Sequence, residues 1–172
     1  METTDSDKHW YVVLTRTNSE RKVRDYFQLQ EVDNFLPVQN RVIEREGKRI
    51  ERERLLLPRM VFVHISRQEM AAVRSTLNVY DFLRDRSTGA PTCIPDAQMA
   101  DFRYMLDYSQ DQVILTGESI PKGTRVVVAK GDLQGLRGEL VRYNNKYHIL
   151  VRIDMFGSAM VTIPASYVRK EK

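Results

Sequence analysis

Near residue 118 the hydrophobic pattern of the chain changes period, and that change limits the folds open to it. Upstream, apolar residues recur at three- and four-residue spacing between short β-prone runs. Downstream, helical spacing disappears and short runs rich in Val and Ile follow one another between glycine and asparagine turns. The pattern predicts two units of different class, an α+β unit and a smaller all-β one. We place the first over residues 8–107, a linker over 108–118 and the second over 119–172.

In the first unit "WYVVLT" (Trp10 to Thr15) reads as a strand, with Asn18 or Ser19 placed to cap the helix "SERKVRDYFQLQ". Val23, Tyr26 and Phe27 share one face of that helix. A hairpin centred on Glu46-Gly47-Lys48 follows, its arms carrying mixed Arg and Glu as a solvated hairpin would. "RLLLPRMVFVHI" is a strand apolar on both faces: Val61, Val63 and Ile65 on one, Met60 and Phe62 on the other. Ser66 to Glu69 form a capping box that predicts a helix burying Met70, Val73 and Leu77. "VYDFLRD" is a further strand and "STGAPTCIP" a loop. Pro95-Asp96 opens a third helix with Met99, Phe102 and Leu106 on one face.

In the second unit "TRVVVA", "GELVRY", "YHILVRI" and "AMVTIP" read as strands, with a fifth at "SYVRK". Their spacing fits a small SH3-like β-barrel. Gly131, Gly135 and Gly138 match neither a P-loop nor a dinucleotide fingerprint, and a strand follows them where a phosphate site needs a helix N-terminus. Turns and close backbone approach account for them better. The β-branched content of this unit also argues against a helical alternative fold.

Chemistry of the hydrolytic or metal-dependent kind finds little support. His9, His64 and His148 lie in separate elements, and Cys93 is the sole cysteine, which excludes an intrachain disulfide and a cysteine-rich zinc site. We expect no enzyme, cofactor or metal. The start "METTDSDKHWYVV" is acidic where a secretory signal would be basic, and no window approaches a membrane span of about 18 apolar residues, so a cytoplasmic protein is expected. From Gly117 onward ten Lys/Arg stand against five Asp/Glu, giving +5 there and −1 in the rest. Basic surfaces favour phosphate backbones, although small soluble domains often carry such charge.

If the three helices cover one face of the first sheet, a second apolar face with Leu14, Leu57, Met60 and Phe62 needs cover from the all-β unit or from another protein. Nearby, Arg16, Arg21, Lys22 and Arg24 form a basic cluster suited to nucleic acid, yet Glu20 and Asp25 are interspersed and a solvated helix face explains it equally.

From Trp10 to Lys170 the chain resembles the NusG family of transcription elongation factors. The resemblance rests on the "WYVV" strand, the basic helix, "FLP", the charged hairpin, "LLLPRMVFV", and "VVVAKGDLQGLRGELV", which is similar to a KOW motif. It implies an N-terminal NGN-type domain that grips the clamp helices of RNA polymerase, with Leu14, Leu57, Met60 and Phe62 as contacts. It implies non-template DNA near Arg16, Arg21 and Lys22, with Arg24 in the same cluster. A second contact, to the polymerase gate loop, would come from Met70 to Val73, where this sequence has no recognisable polar motif. The KOW domain would recruit ribosomal protein NusE or Rho. Arg59-Met60 stands where Gly-Tyr or Asn-Tyr is usual, and the chain is most similar to specialised UpxY-like or RfaH-like antiterminators of surface-polysaccharide operons. The rival reading is a ribosome-associated or RNA-binding protein that uses the basic KOW barrel.

Overall fold

A computed structural model describes residues 7–172. The fold is α+β, and the chain divides into two compact units, Met1–Asp96 and Ala97–Lys172. No helix among the described residues is long and apolar enough to cross a membrane.

The first unit is built on strands β1 (His9–Thr15), β2 (Asn34–Phe35), β5 (Met60–Ile65), β6 (Val79–Phe82) and β7 (Cys93–Ile94). They pair antiparallel in the order β2-β5-β1-β6, with β7 also on β1. Helix α1 (Glu20–Leu29) and the short α2 (Met70–Arg74) lie between them in sequence, as does a separate two-stranded ribbon of β3 (Val38–Arg45) and β4 (Lys48–Leu55). Alternation along the strands sends Tyr11, Val13, Val61, Val63 and Ile65 into one core with Val23 and Phe27 of α1 and Val73 of α2. The third expected helix, with Phe102 and Leu106, belongs to the second unit.

Two helix starts also differ from expectation. Ser19 occupies the N-cap of α1 but makes no capping hydrogen bond, and its hydroxyl donates to the Thr17 carbonyl instead. Ser66 Oγ donates to the Glu69 carboxylate at 3.1 Å, not to the backbone, and Arg67–Glu69 form a single 3-10 turn. Helix α2 then ends at Arg74, and Asn78 turns the chain with φ 70°. Leu77 is therefore beyond the helix and 82% exposed, where the sequence predicted it buried. Cys93–Ile94, expected in a loop, pairs with Trp10 and Tyr11.

The second unit begins with α3 (Asp96–Tyr108), which buries Met99, Phe102, Met105 and Leu106. Strands β8 (Ile114–Thr116), β9 (Thr124–Val128), β10 (Arg137–Tyr143), β11 (Lys146–Ile153), β12 (Gly157–Thr162) and β13 (Val168–Lys170) form an antiparallel sheet in the order β13-β9-β10-β11-β12-β8. The five expected strands are there, and the sixth, β8, comes from the stretch expected as linker. Val141, Leu150 and Met160 centre one core cluster. Within this unit α3 is tied to the sheet side by Tyr104 Oη, which donates to the Gln134 carbonyl at 2.6 Å, and by Gln98 bonded to Asp154.

The glycine stretch is turn and close contact, as its chemistry predicted. Gly135 has φ 95°, and its N–H donates to the Val128 carbonyl to close the β9–β10 connection. A side chain at Gly138 would meet the Leu150 carbonyl at 2.6 Å.

Candidate functional site

The β1–β5 register decides how the apolar candidates are placed. Leu14 lies opposite Met60 and Val12 opposite Phe62, so Leu14, Met60 and Phe62 share one face. Leu57 sits in the bend that leads into β5. Leu14, Leu57 and Met60 are half-buried, whereas Phe62 is fully closed to solvent, its ring 6.0 Å from that of Phe35. Farther along the same face the Trp10 and His64 rings stack at 4.9 Å. Phe62 is thus closed off, and the part of the face still partly open to solvent is Leu14, Leu57 and Met60.

Entry into β5 depends on Arg59 and on a carboxylate whose role the sequence did not show. Arg59 adopts φ 66°, the left-handed region that Gly and Asn tolerate and that other residues adopt at a cost of about 1 kcal/mol or more. Its N–H donates to the carboxylate of Glu20 at 2.8 Å, and its carbonyl accepts from the Thr15 N–H at 2.9 Å. Glu20 is buried at the start of α1, so a carboxylate read as one of several solvated charges instead holds the turn that aims Met60. Nothing in the local sequence links Glu20 to a position 39 residues away.

The basic cluster is only partly assembled. Arg21 Nε and Arg24 Nη1 converge on the Glu53 carboxylate of β4 at 3.1 and 3.3 Å, and Arg24 also meets Asp25. Such part-exposed pairs are each worth about 0.2–1 kcal/mol, enough to orient the guanidinium groups but not to hide them. Arg16 and Lys22 are exposed. In the segment Met70 to Val73, Val73 is buried in the core and Met70 packs against it.

Two of the histidines have side-chain partners: His64 Nδ1 lies 3.5 Å from Asp33, and the His148 ring contacts the Lys146 carbonyl and the Thr162 hydroxyl. Burial and the Asp96 carboxylate push the Cys93 thiol up, which disfavours the reactive thiolate. Among the described residues no group of His, Cys, Asp and Glu is arranged to hold a metal ion.

In the second unit the Glu139 carboxylate accepts from Arg152 Nε at 2.7 Å, from Arg152 Nη2 at 3.0 Å and from the Gly123 N–H at 3.0 Å. Arg152 Nη2 also donates to the Ile120 carbonyl. Burial alone would raise the Glu139 carboxyl, but these hydrogen bonds outweigh it and hold the group below the ordinary glutamate range.

The family model described as "Transcription termination factor nusG" matches residues 8–103. No curated protein matches the sequence. Among solved structures, one titled "Domain interaction in Thermotoga maritima NusG" is 20% identical, with 98% of this chain and 100% of that chain covered and a TM-score of 0.52. An MjSpt4:Spt5 complex, conformation A, is 14% identical over 95% of this chain and 98% of that one, with a TM-score of 0.29.

Proposed function

Because the chain belongs to the NusG family of transcription elongation and termination factors, matched over more than half its length, we propose that it binds elongating RNA polymerase through the face around Met60. The contact is to the clamp helices of the polymerase and is made by Leu14, Leu57 and Met60, with Phe62 as their support. The observation that carries this reading is the half-buried apolar rim formed by the register pair Leu14 and Met60 together with Leu57, inside the segment that the family model matches. Side chains of this kind, partly wet in the free chain, gain most when a partner removes the remaining water. No covalent chemistry is involved. Binding keeps the clamp closed and so suppresses pausing or termination.

The division of labour follows the expected domains, with residues 8–107 holding polymerase and the KOW unit, 119–172, left to recruit a further partner such as NusE or Rho. Arg16 and Lys22, with Arg21 and Arg24 oriented by Glu53, face non-template DNA. Methionine at position 60 replaces a rigid aromatic anchor by a flexible one, which suits a specialised, operon-specific antiterminator of the UpxY or RfaH type acting at surface-polysaccharide operons. The rival reading, an RNA-binding KOW protein, has less free charge to draw on, because Arg125 and Arg137 both pair with Glu171.

The test is retention of RNA polymerase by Leu14→Asp and Met60→Asp, each first checked for an unchanged thermal transition. Both should lose polymerase while remaining folded. Wild-type retention by both folded variants would remove this surface.

A further inference from the structure

The β3–β4 ribbon segregates its charge in a way that its mixed sequence conceals. The Glu46-Gly47 turn, with φ 54° and 75°, sets a register in which Arg45 faces Lys48, Ile43 faces Ile50, Arg41 faces Arg52 and Gln39 faces Arg54. Directly opposed residues project to the same side of a ribbon. One side therefore carries Arg41, Arg45, Lys48, Arg52 and Arg54 around the Ile43–Ile50 pair, with no acid. The other carries Glu44, Glu51 and Glu53 with a single cation, Arg49. The acidic side is the one engaged with α1, where Glu53 takes Arg21 and Arg24. Arg41, Arg45, Lys48 and Arg52 are exposed and have no side-chain partner among the described residues. Burial and the nearby Arg41 charge depress the Arg54 guanidinium, a sign that like charges crowd this side.

We propose that the basic side of this ribbon is a docking surface for double-stranded DNA, held through phosphates by Arg41, Arg45, Lys48 and Arg52. Arg45/Lys48 and Arg41/Arg52 are four residues apart on each strand, or roughly 13 Å at the strand rise. The major groove of B-DNA is about 12 Å wide and admits a two-stranded ribbon. The two cation pairs thus span the groove from one phosphate row to the other, with Ile43 and Ile50 left over the base edges. Three of the four cations are arginines, whose planar forks suit phosphate oxygens. A-form RNA offers a deep, narrow major groove that such a ribbon does not enter, so RNA duplexes bind less well. This surface is distinct from the α1 cluster and does not depend on the polymerase reading.

The experiment is fluorescence anisotropy of the full chain with a labelled DNA duplex of arbitrary sequence, in a salt series between about 50 and 200 mM. The variants are Arg41→Ala/Arg52→Ala and Arg45→Ala/Lys48→Ala, each on an exposed ribbon side. Arg49→Ala on the opposite side of the ribbon serves as the control. Each double variant should reduce the slope of log K against log salt by about 1.8, at roughly 0.9 for every phosphate that the variant no longer neutralises. That control should leave the slope unchanged. Wild-type slope in both double variants would overturn the proposal. So would an equal loss in Arg49→Ala, a preference for RNA duplex, or binding to anionic vesicles with none to DNA.

Discussion

Replacing Glu139 by Gln should loosen the second unit by an amount that follows from its hydrogen bonds. The carboxylate side chain is 9% exposed and receives two hydrogen bonds from Arg152 at 2.7 and 3.0 Å, besides the Gly123 N–H. Glutamine keeps one oxygen for Gly123 but sets an amide against the guanidinium. Hydrogen bonds to charged groups are worth about 1.5–3 kcal/mol each when buried. Arg152 is 36% exposed and regains water when its partner is lost, so the net loss should be about 2 kcal/mol. Native-state amide exchange reads this locally, and the β10–β11 amides around Leu150, the register partner of Glu139, should exchange about 30-fold faster at neutral pH. The sign with pH is fixed by the folded carboxyl lying below its unfolded value. The contribution is complete above the ordinary glutamate range and is lost as pH falls through the lower folded value. The difference between wild type and Glu139→Gln should therefore close on acidification. Equal exchange at neutral pH, or a difference that persists undiminished in acid, would refute the reasoning.

Glu20→Ala leaves the Arg59 N–H without its buried acceptor and should destabilise the first unit by about 1–3 kcal/mol in urea unfolding. Arg59→Gly removes a left-handed arginine and should raise stability by up to about 1 kcal/mol; a clear loss would mean that the hydrogen bond from its guanidinium to the Thr15 carbonyl matters more than backbone strain. Phe62→Ala, at a position with 0% exposure, should cost about 3–5 kcal/mol and lower the unfolding midpoint before any effect on partner binding can be read. Leu77→Ala, by contrast, should change stability by less than about 0.5 kcal/mol in the same assay.

Elements defined by local pattern were legible. Val23 and Phe27 fall on one face and α1 buries both; the short β-prone runs "YHILVRI" and "AMVTIP" between turns give β11 and β12. Leu77 failed because helical spacing says which side a residue would take but not where the helix stops. The chain turns at Asn78, and the helix has ended four residues earlier at Arg74. The β8 strand escaped notice because three residues carry too little period to register, and it exists only because β12 offers an edge to pair with.

At the candidate site the division is similar. Sequence alone marked Leu14, Leu57, Met60 and Phe62 as apolar residues on a strand with two apolar faces, and marked the α1 arginines as a cluster. It also marked two units of different pattern, because hydrophobic period is a one-dimensional property, whereas the compact units divide at Asp96 and the second includes α3 and β8. Only the tertiary structure separated Phe62 as buried support from Met60 as rim, and only it found Glu20 beneath Arg59. It likewise paired Arg21 and Arg24 with Glu53 and left the other side of the ribbon uniformly basic. Along the chain the acids and bases of that hairpin are interspersed; paired across strands in a fixed register, all but Arg49 part to opposite faces.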